Sequence, residues 1–252
     1  MLRLLINLDR SPDRWAHVKA QLDRVGVEAQ RVPGVDGKLL SQDKIEAYNV
    51  EPSYPKKILF PRLLRAGEIG CFLSHRICWQ RLLDSDENWA LIFEDDIVLS
   101  DRAPIYMNNE DWIPEGVHLI QLFNFHEKWV AYCKRRKISL KTGDELLIPV
   151  RPAPTGTPAY MISREAAKFA LEHSEKLAFP VDNYLFEWGP VAERYDVWRL
   201  SSPVVRTTGE ASTILNNDRI KNKAPLSLTK VIFQTKRSIA KNLAIKHEFN
   251  FF

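Results

Sequence analysis

A chain of 252 residues with 45% hydrophobic and 27% charged side chains has enough apolar material for one large α/β domain, which excludes a disordered or low-complexity protein. The net charge of +4 is local: from Arg219 onward there are eight Lys or Arg against the single acid Glu248, so residues 1–218 carry −3, which excludes a nucleic-acid-binding body. Three cysteines, Cys71, Cys78 and Cys133, cannot all pair, which excludes a disulfide scaffold and fits a reducing, cytoplasmic setting; no signal peptide and no membrane-spanning run is read.

Arg3 to Leu8 is an apolar run that reads as a first, buried strand. Ser11 then suits an N-cap and Pro12 the first helical position. Trp15, Val18, Leu22 and Val25 make one helical face, and Gly26 stops the helix. A strand, a polar turn and a helix N-terminus form a corner whose free N–H groups attract anions. Arg10 and Arg14 are spaced to add charge-assisted bonds to phosphate, or else are ordinary surface arginines. Val27 to Pro33 reads as a second strand at βαβ spacing, and the turn Gly34–Gly37 carries Asp36, where α/β nucleotide folds hold a ribose hydroxyl.

Lys38 to Arg65 reads as a loop with a short helix near Gln42 to Tyr48, and a long helix follows from Gly67 to about Leu83. Cys71, His75, Cys78 and Leu82 share one face of it. That spacing suggests zinc, but no fourth ligand is nearby, and small core cysteines are common, so the reading favours core. His75 is either a satisfied core histidine or a donor toward a ligand.

Ala90 to Phe93 is a further buried strand, and it runs straight into Glu94, Asp95 and Asp96. Three adjacent carboxylates at a strand end repel one another and cost desolvation, so something positive must offset them. Strand carboxyl ends are where open α/β sheets place ligands. Oxygen donors there suit Mg²⁺ or Mn²⁺ bridging substrate phosphates; the alternative is a solvated acidic turn.

Val117 to Phe123 reads as another core strand, followed by a hairpin insertion that brings Trp129 and Tyr132 near the cationic run Lys134–Lys137. Gly156 lies in a turn entering a strand, where glycine permits close backbone approach to a ligand. Ser163 caps the next helix, and Asp182 sits near the start of another, where it is either a capping acid or a general base. Val197 to Leu200 and Val204 to Arg206 read as late strands. From Leu226 a basic amphipathic helix is expected, with Leu228, Val231, Ile232, Ile239 and Leu243 opposite Lys230, Arg237 and Lys241; it meets an anionic membrane surface or packs on the body. The division is residues 1–218 as the main domain and 219–252 as a basic tail.

An ordered set of segments resembles glycosyltransferase family 25, which holds bacterial lipopolysaccharide and lipooligosaccharide sugar transferases and the collagen galactosyltransferases. The segments are Ile6–Arg14, Val32–Gly37, Gly67–His75, Phe93–Asp96, Gly156–Ser163 and Pro180–Asp182, together covering most of residues 3–185. The resemblance implies a GT-A-like single domain with a mixed, mostly parallel central sheet flanked by helices. It implies a UDP-sugar donor, most often UDP-galactose or UDP-glucose, a lipid-linked oligosaccharide acceptor, and inversion at the anomeric carbon. Glu94-Asp95-Asp96 looks like the DxD metal motif with Glu first, which makes Asp96 the direct Mn²⁺ or Mg²⁺ ligand and Glu94 its companion, with Asp95 beside the donor. The resemblance further implies that Asn7, Leu8 and Asp36 meet the uridine and Glu68 and His75 the donor sugar; Arg10, Arg14 and Gly156, read from the chain itself, complete the expected donor-binding set. Asp182 is the expected general base, with Glu210 and Glu187 behind it. Two other readings are a metal-dependent phosphohydrolase of nucleotide sugars and a non-catalytic carbohydrate- or nucleotide-binding protein.

Overall fold

The computed structural model describes residues 1–53, 56–123, 131–151, 156–208 and 245–246. Strand β1 (Leu2–Asn7) leads into helix α1 (Pro12–Val25), with Pro12 in its first turn and Gly26 closing it at φ 67°, a left-handed conformation that suits glycine. Strand β2 (Gln30–Pro33) completes a parallel βαβ unit with β1. A 3₁₀ turn (Gly37–Leu39), α2 (Gln42–Tyr48), α3 (Lys56–Leu59) and the long α4 (Ala66–Leu83) come next. Strand β3 (Trp89–Glu94) then returns parallel to β1, on the side away from β2.

Strand β4 (Ile97–Leu99), α5 (Ala103–Met107) and β5 (Leu119–Gln121) lead to a hairpin of β6 (Ala131–Ser139) and β7 (Glu145–Pro149). Strand β8 (Ala159–Ser163) follows, with Ser163 capping α6 (Arg164–Glu172) by accepting the Ala166 N–H. Then come α7 (Val181–Phe186), α8 (Pro190–Arg194), β9 (Trp198–Leu200) and β10 (Val205–Thr207). The described residues end in β11 (Ile245–Lys246), whose backbone pairs antiparallel with β6. The nine-stranded sheet has the order β11-β6-β7-β9-β5-β8-β3-β1-β2, and β4 pairs with β10 in a separate ribbon.

The α/β class, the mixed sheet and the flanking helices are as expected. The expectation of a mostly parallel sheet is not. Pairs β1–β2, β1–β3 and β5–β9 are parallel, but β3–β8, β5–β8, β6–β7, β7–β9 and β6–β11 run antiparallel. The βα repeat stops at β3. Beyond it a hairpin supplies antiparallel pairing directly, and β8 enters head-to-tail between β3 and β5.

Alternation along the central strands divides the core in two. Leu4, Ile6, Ala90, Ile92, Tyr160 and Ile162 face α4, α6 and α7, where they meet Phe72, Trp79 and Leu82. Leu5, Leu91, Phe93 and Met161 face the opposite side and pack on Val18 and Leu22 of α1 and Tyr106 of α5. With both faces covered, β1 and β3 read as unbroken apolar runs.

This layering also fixes where a crevice opens. The chain leaves β1 toward β2 through α1 on one face, and reaches β3 on β1's other flank through α4 on the opposite face. The carboxyl ends of β1 and β3 therefore flank a topological switch point, the usual ligand position in such sheets. The loop after β2 is pinned beside it by backbone contact. A Cβ at Gly37 would lie 2.1 Å from the Ala66 carbonyl oxygen, and one at Gly70 would lie 2.6 Å from that of Val35. Ser74 Oγ accepts the Val35 N–H and donates to the Gly70 carbonyl, each at 2.8 Å.

The expected tail helix from Leu226, Trp129 and Glu210 lie outside the described residues. No helix among the described residues is long and apolar enough to cross a membrane.

Candidate functional site

A cleft at this switch point is lined by Leu8, Arg10, Arg14, Asp36, Lys38, Cys71, Ser74, His75, Glu94 and Asp95, and encloses about 110 Å³. A larger, open depression of about 570 Å³ lies at the other end of the strands, around Trp89, His118 and Glu165. It has neither the switch point nor the acid triplet, so the smaller cleft is the candidate site.

The three acids have separate surroundings. Asp95 is buried and fully engaged: Oδ2 accepts from Asn7 Nδ2 at 2.7 Å, and Oδ1 accepts from Arg14 Nη1 at 2.9 Å. Burial still pushes its carboxyl above the ordinary range, against those two partners. Glu94 Oε1 accepts from the Thr157 hydroxyl and lies 3.5 Å from His75 Nε2. Burial pushes Glu94 up, but His75, Thr157 and the Arg14 charge outweigh it, and Glu94 stays below the usual carboxylate range. Asp96 is 3.8 Å from Arg14 Nη2, and its Oδ1 is buried with no hydrogen-bond partner. Burial first, then the Glu94 charge, push it up to about 7. Its backbone is fixed, since its carbonyl accepts the Thr208 N–H at 2.8 Å beside the β4–β10 ribbon. A single guanidinium, that of Arg14, thus reaches two of three neighbouring carboxylates.

Asn7 stands at the crevice, but its side chain is committed to the protein. It donates to Asp95 and to the Ser11 carbonyl and accepts from Arg31 Nε at 2.9 Å. Leu8 supplies an apolar wall. Asp36 caps the 3₁₀ turn through the Lys38 N–H at 3.0 Å and pairs with Arg10. Burial raises the Asp36 carboxyl, but these two partners outweigh it and hold it below the ordinary range.

Glu68 is turned to its own helix end, where it accepts two bonds from Arg62, at 2.6 and 2.7 Å, and one from the Arg65 N–H. Gly156 is not among the cleft-lining residues; it comes one residue before Thr157, which holds Glu94. Asp182 is half-buried at the start of α7, with Oδ1 accepting from Asn183 N at 2.8 Å. Its charge is felt at Cys71. Burial first, then the charges of Glu94, Asp182, Asp96 and Glu68, all push the Cys71 thiol up. Glu187 is buried at the carboxyl end of α7.

The Cys–His–Cys face of α4 is split by the structure. Cys78 is buried in the core, whereas Cys71 and His75 face the cleft. His75 Nδ1 is 2.9 Å from Tyr160 Oη, which also accepts the Trp79 indole N–H at 2.9 Å. Sequence reasoning did not place Thr157, Lys38, Ser74, Tyr160 or Trp79 at the site. Lys38 follows Asp36 by two positions and Thr157 follows Gly156 by one, but Tyr160 carries no local signal that it meets His75, nor Trp79 that it meets Tyr160.

Over residues 1–185 the chain matches the family model described as Glycosyltransferase family 25 (LPS biosynthesis protein). It is 34% identical over 197 residues to a glycosyltransferase 25 family member of Aedes aegypti, a match covering 72% of this chain and 30% of that protein. It is 33% identical over 175 residues to the lipooligosaccharide biosynthesis protein lic2B of Haemophilus influenzae, covering 68% and 63%. A shorter match, 38% identical over 95 residues, links it to procollagen galactosyltransferase 2 of Mus musculus, covering 37% and 15%. The chain therefore spans less than two thirds of the length of each of these relatives.

Proposed function

The chain belongs to glycosyltransferase family 25, and from that premise we propose that it moves a hexose, galactose first and glucose next, from a UDP-sugar to a lipopolysaccharide or lipooligosaccharide core glycan, with inversion. The observation that carries this reading is Asp96 Oδ1, a buried carboxylate oxygen without a hydrogen-bond partner; Asp96 is not itself among the cleft-lining residues but directly follows Glu94 and Asp95, which are. An orphan of that kind is costly unless a ligand satisfies it. Asp96 and Glu94 offer hard oxygen donors that suit Mn²⁺ or Mg²⁺. Bound there, such an ion supplies Lewis-acid stabilisation of the charge on the departing nucleotide.

The remaining work falls to the chain's own residues. Arg10, Arg14 and Lys38 line the cleft and attract a diphosphate. Leu8 gives a nucleobase an apolar surface, and ionised Asp36 is set to accept from a ribose hydroxyl. The enclosed volume of about 110 Å³ is well under the roughly 300–1,000 Å³ of a whole ligand pocket, so part of the donor lies along the open edge. Asp182 is the proposed base, its carboxylate oriented by the Asn183 amides to take the proton of the acceptor hydroxyl. We place the protein in the cytoplasm and on the inner face of the membrane through its basic tail. Truncation after Pro225 should lower salt-sensitive vesicle binding while sparing turnover of a soluble acceptor.

The test is sugar transfer from UDP-galactose and UDP-glucose to a core oligosaccharide with Mn²⁺, comparing the native protein with Asp96→Asn. Loss of at least about 100-fold in turnover is expected for the variant. Undiminished transfer by Asp96→Asn, or by the fully chelated protein, overturns the metal assignment, and no transfer by the native protein from either donor overturns the transferase reading. Sugar release that ignores the acceptor favours a phosphohydrolase.

A further inference from the structure

The same cleft carries a second donor set, of different chemistry. Cys71 Sγ, His75 Nε2 and a Glu94 carboxylate oxygen all lie within 4.8 Å of one another. Cys71 and His75 stand one turn apart on α4, and Glu94 reaches them from the end of β3. His75 is fully buried, yet its Nε2 has no hydrogen bond; the Glu94 oxygen at 3.5 Å is the polar atom facing it. We propose that Cys71, His75 and Glu94 bind a borderline-soft divalent cation of the Zn²⁺ class, at a site that shares Glu94 with the oxygen-only pair of Glu94 and Asp96.

Sulfur, imidazole and carboxylate together select Zn²⁺ or Co²⁺ over Mg²⁺. Three protein donors leave a fourth tetrahedral position for water or a phosphate oxygen. Metal–donor lengths of about 2.0–2.3 Å imply donor separations of roughly 3.5 Å. Binding therefore requires side-chain rotation at Cys71 and Glu94 to close the difference.

The imidazole is already held from behind. Tyr160 fixes the ring through Nδ1, and Trp79 fixes Tyr160, the outer support that ligating histidines use. On binding, His75 carries its ring proton on Nδ1, and the Cys71 thiol gives its proton to solvent as the sulfur–metal bond forms. Cys78, which shares the helix face, is not one of the three grouped donors and packs in the apolar core.

Glu94 belongs to both donor sets, so Zn²⁺ at this site withdraws a ligand from the oxygen-only pair and lowers Mn²⁺ affinity. The test uses Co²⁺ as an optical probe on the full chain. One equivalent should bind and give sulfur-to-cobalt charge-transfer absorption in the near ultraviolet. Cys71→Ser should abolish that band, and His75→Ala and Glu94→Gln should each weaken Co²⁺ affinity at least tenfold. Cys78→Ser, Cys133→Ser and Asp96→Asn should keep it. No band in the native protein, or a band surviving in folded Cys71→Ser, overturns the site. Glu94→Gln keeps the test open should the helix variants fail to fold. The readout is independent of sugar transfer: transfer by the native protein tests the transferase reading, and the Cys71→Ser cobalt spectrum tests this one.

Discussion

Asn7 and Asp95, 88 positions apart in the chain, are joined by a 2.7 Å hydrogen bond that spans the switch point between β1 and β3. Asn7→Ala leaves a buried carboxylate oxygen unmet, at a cost of about 1–3 kcal/mol. Thermal unfolding should drop accordingly, by about 2–4 °C per kcal/mol for a chain of this size. A variant that melts like the native protein but no longer binds UDP would make Asn7 a ligand contact instead of a brace.

Asp96→Asn should stabilise the ligand-free fold while removing metal-dependent turnover. Burial, with Glu94 behind it, holds Asp96 at about 7, so the folded state keeps a proton that the unfolded chain gives up near 4. Stability contributed here is present below about 4 and is lost as pH rises toward 7. Melting curves should therefore show the variant above the native protein at pH 8 and level with it near pH 4. A lower melting temperature for the variant at pH 8 would contradict the assignment.

Asp144 should behave with the opposite sign. Burial pushes it up, but Ser202, Tyr106 and Arg102 outweigh that and hold it low, with Arg102 Nη2 at 2.5 Å. Its contribution is present above about 4 and is lost as pH falls through the depressed value. Asp144→Asn should melt several degrees lower at pH 7, and the gap should narrow on acidification toward pH 3. A gap that stays constant with pH would mean the effect is steric.

Gly37→Ala and Gly70→Ala should each be strongly destabilising, since the added methyl meets backbone at 2.1 and 2.6 Å respectively. Gly116→Ala, where a Cβ meets nothing within 4 Å, suffers only its positive φ of 77° and should cost about 1 kcal/mol. Urea melts of the three variants give the ranking; parity among them would mean the loop after β2 can lift off α4.

UDP and Mn²⁺ together should raise the melting temperature more than the sum of either alone. A ligand at 100 times its dissociation constant adds about 2.7 kcal/mol to the folded state. A chelator should return the curve to that of UDP alone. Equal shifts with and without Mn²⁺ would remove Asp96 from any shared site.

Where the chain speaks locally, the fold was legible. Pro12 and Gly26 bracket α1 as read, Ser163 caps α6, and the acids do end a buried strand. The sense of the later pairings was not legible, because β8 gives no local sign that it inserts between β3 and β5. Adjacency alone also could not rank the triplet. Asp95 is spent on Asn7 and Arg14, partners 88 and 81 residues away, and this leaves Asp96 as the acid with an unmet oxygen. The zinc pattern on α4 was judged within one helix, whereas its third donor comes from β3.

The glycine contact between the loop after β2 and α4 separates the shape of the cleft from its chemistry. The contour is set by main chain against main chain at Gly37 and Gly70, while Leu8, Asp36 and Lys38 supply the lining. Leu8 and Lys38 can be varied without redrawing the outline, whereas Asp36 also caps the turn, which makes the first two the natural starting library for retuning donor preference on an unchanged scaffold.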